Sequence, residues 1–347
     1  MKSIKGTKIF ERSEIKEAAN LLQQGKLVAF PTETVYGLGA NALDEAAVRS
    51  IFTAKGRPAD NPLIVHIAKQ EELKSLVKGE LTEDVKRLIS NFWPGPLTIV
   101  LSKNAKVPAV TTGGLETIAV RMPQHPVALE LIEATQLSIA APSANLSGKP
   151  SPTLVKHVID DLAGKVDGIL AGGQTGIGVE STVVDLSQVK PVLLRPGGVT
   201  YEELTDILGK VEIDPTVEAK LSNDDQQAIS PGMKYKHYSP QAEVILVEGR
   251  TEEIPTKIKE LIGAHSAQKV GVMATKEFSN YYQDVTVKEM GSRSNLAEIS
   301  TNIFKLLREF DAEGIDEIIV EGLPVEGLGL AIMNRLRKSA AYQIIEV

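Results

Sequence analysis

The chain has 347 residues, which is room for two domains at the usual ~100 to 200 residues each. Its hydrophobic fraction of 42% and charged fraction of 24% are those of a globular protein and exclude a disordered one. The absence of Cys excludes disulfide staples, thiolate catalysis and any zinc site built on Cys, and the net charge of −7 argues against nucleic-acid binding by bulk positive charge.

Along the chain, residues 14–24 have helical apolar spacing at Ile15, Ala18, Ala19 and Leu22, and residues 27–31 (LVAFP) read as a short buried strand. Further strands are predicted at 63–67, 98–101, 118–121, 138–141, 168–171, 182–185 and 192–195, with helices at 45–54, 82–91 and 125–135. From 213 to 241 neither period is sustained, so a linker is expected there, between domains at 1–212 and 242–347. After it, strands at 244–247, 270–274 and 317–320 alternate with helices at 255–262, 296–310 and 330–340, the pattern of a small parallel sheet covered on both faces. The first 210 residues carry equal numbers of basic and acidic side chains, so the acidity belongs to the second half. No run of about 18 apolar residues occurs and the amino end lacks an apolar signal core, so no membrane segment is predicted and the expected location is the cytoplasm.

Two glycine patterns mimic nucleotide fingerprints. Gly37 to Ala42 (GLGANA) fits G-x-G-x-x-A after a strand, but no βαβ unit with an acidic strand end follows it. Gly327-Leu328-Gly329 reads as a turn or helix cap, and no Walker loop is present. Ser143 sits in APSAN, which lacks the glycines of a hydrolase elbow. The five histidines show no ligand spacing, and no metal site on the protein is predicted. What stands out is KGRPADNPL, where Lys55 and Arg57 share a Gly/Pro-rich turn entering a strand. A point charge beside a guanidinium fork suits an anionic phosphate or carboxylate. PTETVYG, AVRMP, APSAN, GVEST and LRPG likewise put small polar or Arg residues at strand ends, where α/β sheets bind ligands.

With these motifs in this order, together with SPGMKYKHYSP and GLGLAIMNRLRKSA, the chain resembles the two-domain form of the YrdC family, the threonylcarbamoyl-AMP synthases, over nearly its whole length. The resemblance implies an α/β fold: a YrdC-like twisted open sheet around a concave cavity, a smaller Rossmann-like α/β domain, and a linker that visits the cavity. It implies a nucleotidyltransferase making threonylcarbamoyl-AMP and pyrophosphate from L-threonine, bicarbonate and ATP, with Mg²⁺ carried on the ATP phosphates. The product would pass to the proteins that place the threonylcarbamoyl group on tRNA; the balanced charge gives direct tRNA contact little support.

By the same resemblance Lys55, Arg57, Ser143 and Asn145 would be catalytic. Arg57, Asn61, Thr117, Ser143, Ser151, Arg195 and His237 would hold ATP. Thr34, His66, Arg121, Ser181 and the backbone of Ala141 would hold L-threonine. Lys234, Tyr235, Lys236, His237 and Tyr238 would make residues 230–240 a lid over the nucleotide. One competing reading is an RNA-binding or ribosome-associated module using the same cavity, which the even charge of the first 210 residues weakens. Another is a carbamoyl transferase of hydrogenase maturation, whose Cys-rich zinc fingers this Cys-free chain cannot build.

Overall fold

A computed structural model describes residues 2–217, 238–264 and 269–347. The expected lid falls outside the described residues, His237 included, except for residues 238–240. The described residues cluster into two compact units. Of the described residues, the first takes in 2–147, 151–176 and 180–217; the second takes in 148–150, 177–179, 238–264 and 269–347.

In the first unit the strands are β1 (Lys2–Ile4), β2 (Thr7–Phe10), β3 (Val28–Phe30), β4 (Gly37–Asn41), β5 (Ile64–His66), β6 (Leu97–Ser102), β7 (Thr117–Arg121), β8 (Ile139–Ala140), β9 (Gly168–Leu170), β10 (Thr182–Asp185), β11 (Val192–Arg195) and β12 (Glu212–Ile213). The helices are α1 (Ile15–Gln23), α2 (Glu45–Lys55), α3 (Leu73–Leu76), α4 (Glu83–Phe92), α5 (Pro126–Thr135), α6 (Val155–Leu162) and α7 (Tyr201–Leu208). The strands form one mixed sheet in the order β1-β2-β9-β3-β4-β8-β5-β7-β6-β10-β11-β12.

The helices dock by the faces their periodicity sets. α1 buries Ile15, Ala18, Ala19 and Leu22, and these pack in one cluster with Val127, Ala128, Leu131 and Ile132 of α5 and with Phe30 of β3. That packing fixes the end of β3, from which the first site loop departs. α2 starts where the Asp44 side chain accepts from Ala46 N (2.9 Å) and Ala47 N (3.2 Å). It ends at Gly56, whose φ of 64° is the left-handed cap that glycine adopts without strain. The cap turns the chain so that Lys55 closes the helix while Arg57 begins the next loop.

Gly37–Asn41, which imitates a nucleotide fingerprint, is strand β4, antiparallel to β3. A Cβ on Gly39 would lie 2.8 Å from the Phe30 ring and 2.9 Å from Ile139, so this glycine is a packing necessity.

The second unit has strands β13 (Glu243–Glu248), β14 (Val270–Ala274), β15 (Thr286–Glu289), β16 (Glu317–Glu321) and β17 (Ile344–Glu346), with helices α8 (Ile254–Ala264), α9 (Leu296–Glu313) and α10 (Leu328–Ser339). Its sheet is parallel throughout, in the order β15-β14-β16-β13-β17. Val247, Val270, Val272, Ala274 and Ile319 of the strands pack against Ile254 and Ile258 of α8. Gly327 caps the start of α10. No helix among the described residues is long and apolar enough to cross a membrane.

Candidate active site

One lateral row of the first unit's sheet assembles the site. Register pairs His66, at the end of β5, with Arg121, at the end of β7, and Arg121 with Thr98 on β6. It then pairs Thr98 with Val183 on β10, and Val183 with Arg195 at the end of β11. Directly opposed residues project from the same face of a sheet, so His66, Arg121, Thr98 and Arg195 share one face despite their separation in sequence. Ser181 joins them. Its Oγ lies 2.8 Å from Thr98 Oγ1 and accepts from Arg195 Nη2 (3.1 Å), while Arg195 Nε donates to the Ser181 carbonyl (3.0 Å). This closeness requires Gly197, where a Cβ would stand 2.2 Å from Thr182 N and 2.4 Å from the Glu180 carbonyl oxygen.

The loop after β3 meets the middle of the row. Arg121 Nη1 donates to Thr34 Oγ1 (2.9 Å), Thr34 Oγ1 lies 2.8 Å from Thr32 Oγ1, and Thr32 Oγ1 donates to the Val35 carbonyl (2.6 Å). Arg121 Nε donates to the Gly95 carbonyl (3.3 Å), and Nη2 is 2.7 Å from Glu33 Oε1. Arg121 is 3% exposed and Glu33 9%, so this ion pair lies almost entirely out of water. Ala141 is tied to the same sheet, its N–H donating to the Ile64 carbonyl of β5 (2.9 Å).

Burial, seconded by the charge of Arg121, pushes the His66 imidazole down to about 3; hydrogen bonds to the Ile64 and Ile139 backbone oppose the shift without cancelling it. His66 is therefore uncharged at neutral pH. Its folded pKa lies below the unfolded value, so the unfolded chain takes up the proton first, and the stability present above about pH 6.5 is lost as pH falls toward 3. Denaturant unfolding at a series of pH values should show a steeper loss below pH 6.5 in the parent than in His66→Phe, by up to about 1.4 kcal/mol per pH unit. Equal slopes would mean that His66 is not buried in its neutral form.

A second cluster gathers at the end of α2. Lys55, 3% exposed, donates from Nζ to the Ser143 carbonyl, to the Asn145 carbonyl (2.7 Å) and to Asn145 Oδ1 (3.2 Å). Ser143 Oγ donates to the same Oδ1 (2.6 Å), and Ser143 bridges to Gly37 at the start of β4. Thus Lys55, Ser143 and Asn145 stand together, with the ammonium gripping the backbone of the Ser143–Asn145 turn. Arg57 is half-buried just beyond the Gly56 cap. Asn61 is fully buried, and among the described residues neither its Oδ1 nor its Nδ2 has a hydrogen-bond partner. Such a carboxamide is costly unless something else satisfies it, as a bound polar ligand would.

Ser151 Oγ donates to Glu180 Oε1 (2.5 Å), tying its loop to the segment that carries Ser181. Thr117 is not part of the row: it starts β7, four residues and roughly 13 Å of strand away from Arg121. His237 lies outside the described residues. Glu33 and Thr98 are the members that residue-by-residue reading passes over. Glu33 was visible inside PTETVYG, and Thr98 only through its alignment with Arg121.

These side chains can bind anions, orient polar groups and exclude water. Their arrangement contains no nucleophile–base pair, which suits chemistry driven by positioning and charge stabilisation.

Comparison with known proteins accounts for nearly the whole chain. Residues 20–197 match the Sua5/YciO/YrdC family model, described as telomere recombination, and residues 199–341 match the model described as threonylcarbamoyl-AMP synthase, C-terminal domain. The chain is 55% identical to the threonylcarbamoyl-AMP synthase of Pyrococcus abyssi over 97% of each protein. It is 49% identical to that of Bacillus subtilis over 96% of this chain and 94% of the relative. The crystal structure of P. abyssi Sua5 complexed with L-threonine superposes with a TM-score of 0.93 at 52% identity, covering 98% of this chain and all of the other. With both family models matched in order and the relatives aligned nearly end to end, the chain belongs to the threonylcarbamoyl-AMP synthase family.

Proposed function

We propose that this enzyme, a nucleotidyltransferase by its family, makes threonylcarbamoyl-AMP for tRNA modification from L-threonine, bicarbonate and ATP, releasing pyrophosphate. The observation that carries the reading is the row His66–Arg121–Thr98–Arg195 with Thr34 laid across it, two guanidinium groups set among hydroxyls on one face. In this reading Arg121 takes the threonine carboxylate, for which its planar fork is the natural partner, and Thr34, His66, Ser181 and the Ala141 backbone surround the rest of the amino acid. That the P. abyssi relative is complexed with L-threonine supports this half of the site.

ATP would lie toward Lys55, Arg57, Asn61, Thr117, Ser143, Asn145, Ser151 and Arg195, with His237 closing over it from the linker. Catalysis would reside in residues 1–212, while 213–241 would be a linker whose residues 230–240 act as the lid and 242–347 a separate domain. Threonine nitrogen, as the free amine, and bicarbonate give a carbamate with loss of water, and a carbamate oxygen then attacks the α-phosphorus and displaces pyrophosphate. The protein's share is to align the carbamate and hold the phosphate charge. Mg²⁺ would enter on the phosphates, since among the described residues no three His, Asp or Glu side chains converge. The expected location is the cytoplasm, and the product's expected recipients are the proteins that transfer it to tRNA.

Pyrophosphate release should require threonine and bicarbonate together. Serine should serve less well, because it leaves unfilled the space of a methyl worth about 1 kcal/mol. ADP as the main product, or full turnover without threonine, would overturn the proposal.

A further inference from the structure

We infer that Glu33 is the counter-ion of the substrate's α-ammonium group, so that the Arg121–Glu33 pair opens to receive a zwitterion. This rests on the reading of Arg121 as the carboxylate partner. Glu33 Oε1 is 2.7 Å from Arg121 Nη2, an ion-pair contact that lacks hydrogen-bond geometry. Both carboxylate oxygens and Nη2 are therefore buried without a directed hydrogen bond among the described residues. His125, at the start of α5, is a further neighbour: its Nδ1 is buried without a partner among the described residues, and the charge of Glu33 acts on it. A buried ion pair whose carboxylate oxygens and facing Nη2 make no directed hydrogen bond, while Nη1 and Nε hold the guanidinium in place, is held ready rather than complete.

Charge balance selects the occupant. A ligand offering only a carboxylate would compete with Glu33 for one guanidinium and leave a buried carboxylate stranded, which is unfavourable. An amino acid brings both signs. Its carboxylate replaces Glu33 on Arg121, its ammonium replaces Arg121 on Glu33, and no charge is left unpaired. No other side chain of the row can neutralise an ammonium, since Thr34, Thr98 and Ser181 are neutral hydroxyls, His66 is uncharged, and Arg195 is cationic. Glu33 thus makes the site selective for amino acids over hydroxy acids of the same shape.

The test compares L-threonine with its analogue bearing a hydroxyl in place of the α-amino group, each titrated calorimetrically against the full-length parent and the Glu33→Gln enzyme. The parent should prefer threonine by about 10²-fold, since a site built for a polar group rejects the analogue that lacks it. In Glu33→Gln that preference should collapse to a few-fold through loss of threonine affinity, with the analogue unchanged or tighter. Retention of the preference would overturn the inference. So would an equal loss for both ligands, which is the signature of a residue acting only through Arg121. Glu33→Asp, which keeps the charge one methylene back, should restore part of the preference. It also decides the matter if Glu33→Gln does not fold, because an unchanged preference there would again overturn the inference. A parent that binds neither ligand would instead refute the underlying assignment of the threonine site.

Discussion

Arg121→Ala should raise the threonine concentration needed for half-maximal pyrophosphate release by at least ~10²-fold, the usual loss when a charge-assisted, buried anion partner is removed. ATP affinity, measured by calorimetry without threonine, should change by less than threefold, because the contacts of Arg121 run to Thr34, Gly95 and Glu33 and none to the Lys55 cluster. A second consequence separates loss of a ligand contact from loss of structure. The truncation leaves Glu33 ionised and buried with no counter-ion, which should cost about 3 to 5 kcal/mol of unfolding free energy. Combining it with Glu33→Gln removes the stranded charge and should return most of that stability, but none of the threonine affinity. Unaltered threonine binding in Arg121→Ala would show that the carboxylate is held elsewhere.

How far such a site can be read from sequence depends on which contacts are local. Strands at 182–185 and 192–195 and the helix at 45–54 were legible to within a residue, since apolar periodicity and a cap such as Asp44 act within a few positions. β4 was not legible. GLGAN contains no β-branched residue, and it becomes a strand only because Gly39 lets Phe30 and Ile139 close on it from two neighbouring strands. The strands β12 and β17 were passed over for a related reason, since their partners β11 and β13 lie outside their own few residues, whereas α7 carries a local start signal, the Thr200–Glu203 capping box, that apolar periodicity alone does not register. In the second unit, alternating strands and helices announced a parallel sheet, but nothing local places β16 between β14 and β13.

The same limit governs the site. Family resemblance picks out His66, Arg121, Ser181 and Arg195 one at a time. That they stand in one row is a matter of register across β5, β7, β6, β10 and β11, set by packing along whole strands. Glu33 shows the sharper failure. An acid in a loop read as anion-binding looks out of place, and only its burial against Arg121 gives it a reason to be there.

Lys55 presents the second large effect, because its surroundings differ from those of a phosphate-binding lysine. A lysine that serves mainly as a point charge for phosphate is held by its stem with the ammonium turned toward the ligand. Here Nζ is committed to the carbonyls of Ser143 and Asn145 and to Asn145 Oδ1, and the side chain is nearly inaccessible. Lys55→Met keeps the stem and removes the three donors. It should leave those acceptors underbonded in a buried turn, lowering unfolding stability by about 3 kcal/mol, and should loosen Ser143 Oγ, which is oriented through the same Asn145 oxygen. Turnover should then fall by ~10²-fold or more with threonine affinity little changed, since the row around Arg121 does not depend on this turn. Lys55→Arg should not rescue either property, because a planar fork cannot converge on the same three oxygens in a space shaped for an ammonium. Urea unfolding decides between the two roles: a lysine that mainly serves the phosphates would lose ATP affinity at unchanged stability, whereas one that builds the Ser143–Asn145 turn must lose stability even with no nucleotide present.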